Sequence, residues 1–280
     1  ERAFGGDATG DLLVNIEDAL GSRFGDTIAG SAVANVLSGG EGNDILMGRA
    51  GNDQLNGDAG DDDLIGGAGN DQLDGGAGLD RAIFSGAFAE FTVTVNAYDS
   101  VTVVGQGTDT LREIETLVFD DQTVAVSSLP RVIVADSAAN VLIGGDGDDL
   151  LDGGGGADVV RGGDGDDQVS GGKGADIVGG GTGDDILFGG PGLDTFVFGE
   201  GFDRDIIRDY RQGRDSIELD LGLFDELGFT PSGQEVVDIF GTLNSTSKAL
   251  IFDFGDGDSL KVRDKFGIDL TTFGDDLFLV

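Results

Sequence analysis

A nine-residue period runs through this chain and leaves it few ways to fold. Read from Gly39, its lines are GGEGNDILM, GRAGNDQLN, GDAGDDDLI, GGAGNDQLD and GGAGLDRAI. Position six is Asp44, Asp53, Asp62, Asp71 and Asp80; position eight is Leu46, Leu55, Leu64, Leu73 and Ala82. A second run opens at Gly144 with GGDGDDLLD, GGGGADVVR, GGDGDDQVS, GGKGADIVG, GGTGDDILF and GGPGLDTFV. Its sixth positions are Asp149, Asp158, Asp167, Asp176, Asp185 and Asp194, and its eighth are Leu151, Val160, Val169, Val178, Leu187 and Phe196. Asp26, Asn35 and Asn140 continue the register upstream in decayed form. A fixed short period marks a stacked architecture, in which each unit buries its apolar side chain only against its neighbours.

The pattern has a direct physical reading. Six glycine-rich residues turn tightly, because glycine enters positive φ without a Cβ clash. The remaining three form a short strand whose middle, apolar side chain points inward. Two nonapeptides then make one coil of 18 residues, with parallel strands about 4.8 Å apart. Asp44 is expected over Asp62, and Asp53 over Asp71. Carboxylates stacked about 4 Å apart repel by about 4 kcal/mol at an effective dielectric of 20, so the columns call for a cation. Glycine turns leave carbonyl oxygens free to complete a shell of six to eight oxygens at about 2.3–2.6 Å, which suits Ca²⁺ better than the smaller, water-retaining Mg²⁺. Soft metals want sulfur or imidazole. The eleven aspartates are therefore the expected metal ligands, and Ca²⁺ the expected ion.

Composition removes the competing chemistries. The 280 residues include 54 acids against 16 bases, a net charge of −38, with no cysteine, histidine or tryptophan. Without His or Cys there is no Ser-His-Asp or Cys-His nucleophile, no zinc centre built on those residues and no disulfide scaffold. No GxSxG motif occurs; a paired-carboxylate glycosidase stays formally open among 54 acids, although the period assigns the repeat aspartates to metal. No catalytic site is expected in this chain. So acidic a surface opposes nucleic acid, which is not an expected partner. No stretch approaches the ~18 apolar residues of a membrane span. The opening Glu1-Arg2-Ala3-Phe4-Gly5-Gly6 has neither an initiator Met nor a basic leader. A piece of a longer or processed polypeptide is expected, with any catalytic domain upstream of Glu1.

The nonapeptide resembles the G-G-x-G-x-D-x-U-x repeat of the RTX (repeats-in-toxin), hemolysin-type calcium-binding family. That resemblance implies a parallel β-roll with several Ca²⁺ ions, the position-six aspartates bridging successive ions. It also implies, as further ligands, the turn carbonyls of Gly42, Gly51, Gly60, Gly69, Gly147, Gly156, Gly165, Gly174 and Gly183. The stretch from Asp194-Thr195-Phe196 through Asp205-Ile206-Ile207 to Asp215-Ser216-Ile217 is similar to the segment closing the last roll in serralysin-type RTX proteins. Gly274-Asp275-Asp276-Leu277-Phe278-Leu279-Val280 is similar to the uncleaved secretion signals of RTX proteins exported by type I machinery. The resemblance thus implies a secreted, extracellular module that folds on calcium and meets the type I secretion machinery through its C-terminus. Other RTX regions belong to adhesins and to the tails of hydrolases, so a cell-surface glycan or an upstream catalytic domain are the alternative partners.

The expected fold is all-β: two parallel β-roll segments, right-handed solenoids, with antiparallel β caps. Residues 1–83 make the first roll, degenerate at its start and full from 39. Residues 84–130 form an antiparallel spacer or cap, read from the alternation in Phe91-Thr92-Val93-Thr94-Val95. Residues 131–197 make the second roll, and 198–280 a C-terminal β cap with the secretion signal. On the second roll Val159 and Ile177 line one outer face, which is expected to pack against a flanking sheet.

Overall fold

The computed structural model describes residues 2–4, 12–95, 100–220, 223, 232–244, 249–255, 257–264 and 273–280. Of the opening hexapeptide, Glu1, Gly5 and Gly6 lie outside the described residues. The chain divides into two units, Glu1–Leu129 and Pro130–Val280.

In the first unit the repeats stack as parallel strands with an 18-residue step. Strand Ile45–Ala50 pairs with Asp63–Ala68, placing Leu46 on Leu64, and Gln54–Ala59 pairs with Gln72–Ala77, placing Leu55 on Leu73. Alternate repeats feed opposite sheets. The strands are longer than the triplets expected from the pattern, running six residues through positions one to three of the next repeat. Only positions four to six are left to turn. A bend persists at position two, at positive φ even where glycine is absent: Arg49 sits at 80° and Asp58 at 71°.

The parallel ladder also runs one coil beyond the last nonapeptide. Thr108–Arg112 pairs with Gln72–Ala77, setting Leu111 on Leu73, and Thr116–Val118 pairs with Arg81–Ile83, setting Leu117 on Ala82. Antiparallel strands then close both sheets: Val101–Val104 and Thr92–Val95 beyond the first, Thr123–Ala125 beyond the second. Such strands occupy edges that would otherwise offer unpaired backbone to another chain. The core is a stack of position-eight side chains from Ile28 to Leu117, sealed by Val95, Val101, Val103 and Phe119. Phe84, Phe88 and Phe91 ring Phe119 at 5.0–5.4 Å between centroids.

The second unit repeats the plan. Leu142, Leu151, Val160, Val169, Val178, Leu187 and Phe196 stack inward, and Arg204–Tyr210 and Ser216–Leu219 add a further coil. Asp258–Asp264 and Leu277–Leu279 extend the two sheets in parallel once more. Ala249–Gly255 and Gly241–Asn244 add antiparallel strands to one sheet, and the helix Gly233–Phe240 packs near them. Phe198, Phe202, Tyr210, Phe252 and Phe273 form an aromatic plug with the position-eight stack. On the face of Val159 and Ile177, Val159 is half-buried and Ile177 is 40% exposed.

Candidate metal centre

Because the step is 18 residues, every position-six side chain is carried over its equivalent in the next coil. All eleven predicted aspartates are buried, none more than 3% exposed. Each turns Oδ1 back along the stack to accept the backbone N–H one coil earlier. Asp62 Oδ1 accepts from Asp44 N at 2.7 Å, Asp80 Oδ1 from Asp62 N at 2.8 Å, and Asp71 Oδ1 from Asp53 N at 2.8 Å. The second unit matches, from Asp167 Oδ1 on Asp149 N at 2.7 Å to Asp194 Oδ1 on Asp176 N at 3.2 Å.

The other oxygen carries the functional meaning. Oδ2 of Asp44, Asp53, Asp62, Asp71, Asp80, Asp149, Asp158, Asp167, Asp176 and Asp185 is buried and accepts no hydrogen bond. An ionised oxygen taken out of water without a partner is among the costliest arrangements in a protein. In the decayed repeats of the first unit that oxygen is met by the chain itself, Ser22 N donating to Asp26 Oδ2 and Ser31 N to Asn35 Oδ1, whereas in the second unit Asn140 Oδ1 is buried and unpartnered. Ten of the eleven glycine-rich repeats carry such an orphan, and Asn140 Oδ1 and Asp205 Oδ2 are orphans outside them.

Electrostatics point the same way. Burial pushes the Asp44 and Asp194 carboxyls up to about 6 and those of Asp62, Asp167 and Asp185 up to about 7. The N–H bonds at Oδ1 oppose that rise, whereas the neighbouring aspartates of the column reinforce it. A carboxylate stack that resists ionisation near neutrality is short of positive charge.

What faces each Oδ2 is backbone. A Cβ placed on Gly57 would overlap both Asp62 Oδ2 and the carbonyl oxygen of Gly75; one on Gly39 would lie 2.8 Å from the Gly57 carbonyl oxygen and overlap Asp44 Oδ2. The position-one glycines therefore keep open a cleft between a carboxylate and the position-one carbonyl of the next coil, carbonyls that the sequence reading did not single out. The position-four carbonyls it did single out also point between coils. The carbonyl oxygens of Gly42, Gly51, Gly60, Gly69, Gly147, Gly156, Gly165 and Gly174 face Gly60, Gly69, Gly78, Gly107, Gly165, Gly174, Gly183 and Gly192. Gly183 ends this series, its Cα turned to the Gly165 carbonyl. Among the described residues no three acidic side chains converge on one point, so an ion here would draw most of its shell from backbone. The donor set is all oxygen, as a hard divalent cation requires.

Four acids that the repeat pattern did not mark stand in the added coils. Asp109 and Glu115 accept from Asp71 N and Asp80 N, and Asp205 and Asp215 accept from Asp185 N and Asp194 N, at 2.7–3.2 Å. Burial lifts Asp109 to about 6 and Asp205 to about 9. Their signature is an acid two residues before an apolar strand centre, as in Asp109-Thr110-Leu111 and Asp215-Ser216-Ile217, with only remnants of the glycine pattern in front, Gly105 and Gly107 before Asp109 and Gly213 before Asp215.

The geometry defines a calcium-binding β-roll protein. The family model described as RTX calcium-binding nonapeptide repeat (4 copies) matches residues 20–55, 47–82, 134–169, 143–178 and 170–205. Residues 20–82 and 134–205 are thus RTX calcium-binding nonapeptide repeats. Comparison with curated proteins returned no match. Among solved structures, the extracellular lipase LipA from Serratia marcescens is similar at 19% identity and a TM-score of 0.32. That match covers 94% of this chain and 41% of the lipase, so this chain spans less than half of that protein's length.

Proposed function

We propose that this chain is a calcium-folded module of a bacterial protein secreted by the type I route. The observation that carries the reading is the file of buried, unpartnered Oδ2 atoms. Asp44, Asp53, Asp62, Asp71 and Asp80 in one unit, and Asp149, Asp158, Asp167, Asp176 and Asp185 in the other, hold the ions, while Asp194 has its Oδ2 taken by Arg211. Position-one and position-four glycine carbonyls complete the shells. Bound Ca²⁺ supplies the positive charge that the stack lacks.

With few acids per site and no preformed cage, affinity belongs to the ~10⁻⁴–10⁻³ M class of extracellular modules. Such binding is folding free energy, because the site does not exist in the open chain. In a compartment poor in calcium the carboxylates repel and the chain stays open for export. Leu277–Leu279, the last parallel strand, is then unpaired and available to the transporter together with Asp275 and Asp276. Outside the cell the columns fill and the roll closes.

Circular dichroism of the full chain tests this. A large gain of β signal is expected between EDTA and ~10 mM Ca²⁺, with little from Mg²⁺ at equal concentration. A spectrum unchanged by calcium sinks the reading.

A further inference from the structure

Ten of the eleven position-six aspartates leave Oδ2 without a partner; Asp194 does not. Its Oδ2 is held by Arg211, whose Nη2 lies 3.0 Å from Asp194 Oδ2, 2.9 Å from Asp215 Oδ1 and 2.9 Å from the carbonyl oxygen of Gly192. Asp194 and Asp215 are successive members of one column, and Gly192 is the position-four glycine of its repeat. A single cationic nitrogen therefore gathers two stacked carboxylates and a turn carbonyl, oxygens of the kinds that the calcium reading assigns to a metal.

The guanidinium is fixed there. Arg211 Nε and backbone N both donate to Asp215 Oδ2, at 3.2 and 2.8 Å, and the Arg211 side chain is only 19% exposed. Asp215 is anchored in turn, its carbonyl oxygen accepting from the hydroxyl of fully buried Tyr210 at 2.9 Å. The opposite column of the same coil shows the contrast. Asp205 Oδ1 accepts from Asp185 N at 2.9 Å, and Asp205 Oδ2 remains buried and unpartnered.

We propose that Arg211 is a tethered cation standing where the last calcium ion of its column would otherwise sit. The coil that closes the roll on this side is then clamped by the chain's own charge, with no ion taken from solution. Arginine suits the task because it stays charged at any working pH and presents several donors in a rigid plane. The assignment rests on the calcium reading above and adds to it a position from which the metal is excluded while Arg211 is present.

Equilibrium dialysis against ⁴⁵Ca²⁺, with circular dichroism to verify folding, tests it on the full chain. Arg211→Ala removes the charge and bares Asp194 Oδ2, Asp215 Oδ1 and the Gly192 carbonyl, so this variant is expected to bind one ion more than wild type at saturation. Arg211→Lys, which keeps the charge, is expected to match wild type. An Arg211→Ala variant that folds fully yet binds no additional ion overturns the assignment. Should Arg211→Ala fail to fold at any calcium level, amide exchange of wild type part-way through the calcium titration, where the roll is only partly filled, decides. Slower exchange at Asp194, Arg211 and Ser216 than at Asp44 and Asp62 supports the clamp, and equal exchange overturns it. A wild type that binds no calcium would instead bring down the underlying reading, a result distinct from either of these.

Discussion

At the scale of single residues, the two oxygens of each position-six carboxylate divide the labour. Oδ1 is a structural acceptor for the coil before it, and Oδ2, unpartnered in ten of the eleven, is the oxygen proposed to meet an ion. Asp62→Asn keeps a polar group of the same shape but removes the charge. It is expected to raise the calcium midpoint of the β transition about tenfold, or ~1.4 kcal/mol, whereas Asp74→Asn on the outward face leaves the midpoint in place. Gly57→Ala removes no charge at all. Its methyl would overlap Asp62 Oδ2 and the Gly75 carbonyl oxygen, so a comparable rise is expected from crowding alone. Titration of the three variants followed by circular dichroism checks both effects. Midpoints for Asp62→Asn and Gly57→Ala equal to wild type would remove these atoms from the site.

At the scale of elements, the nonapeptides made the coil legible because their period and the structure's step are the same number. Asp44, Leu46 and their equivalents needed only counting to be placed in columns. Where the glycines stop, that count fails, although the ladder does not. Thr108–Arg112 and Thr116–Val118 join the first roll across insertions that carry Asp71 to Asp109, 38 residues on, and Asp80 to Glu115, 35 residues on. A loop of ordinary composition between coils erases the period but not the pairing, since register is set by Leu111 and Leu117 reaching the same apolar stack. The position-one carbonyls escaped notice for another reason: a glycine announces a turn or a close approach without saying what approaches. If Asp109 and Glu115 act as end members of the metal columns, the pair Asp109→Asn with Glu115→Gln is expected to lower the number of bound ions. Calorimetric titration reads that number, and unchanged stoichiometry would make these two acids purely structural acceptors.

At the scale of the whole molecule, a net charge of −38 and a set of carboxyls that resist ionisation make protons and calcium rivals for one structure. Burial lifts Asp44, Asp109 and Asp194 to about 6, Asp62, Asp167 and Asp185 to about 7, and Asp205 to about 9. In the open chain each returns to the ordinary value of about 3.9. The folded form thus holds protons more tightly than the unfolded one, and stability falls with rising pH wherever that difference is exercised. Without calcium the roll is therefore most stable below about pH 4, where these groups are protonated in both states. That stability is lost progressively as pH climbs through about 6 and 7, where Asp44 and Asp62 are forced to ionise. Calcium reverses the trend, because only the ionised carboxylates bind it and their protons must leave. Two outcomes are expected of the full chain. In EDTA, β signal is greater at pH 5 than at pH 8. In a weakly buffered solution at pH 6, adding Ca²⁺ releases protons that a pH electrode registers. Spectra in EDTA that do not change between pH 5 and pH 8, together with calcium binding that leaves the pH still, would mean that these buried oxygens are not the ones calcium meets.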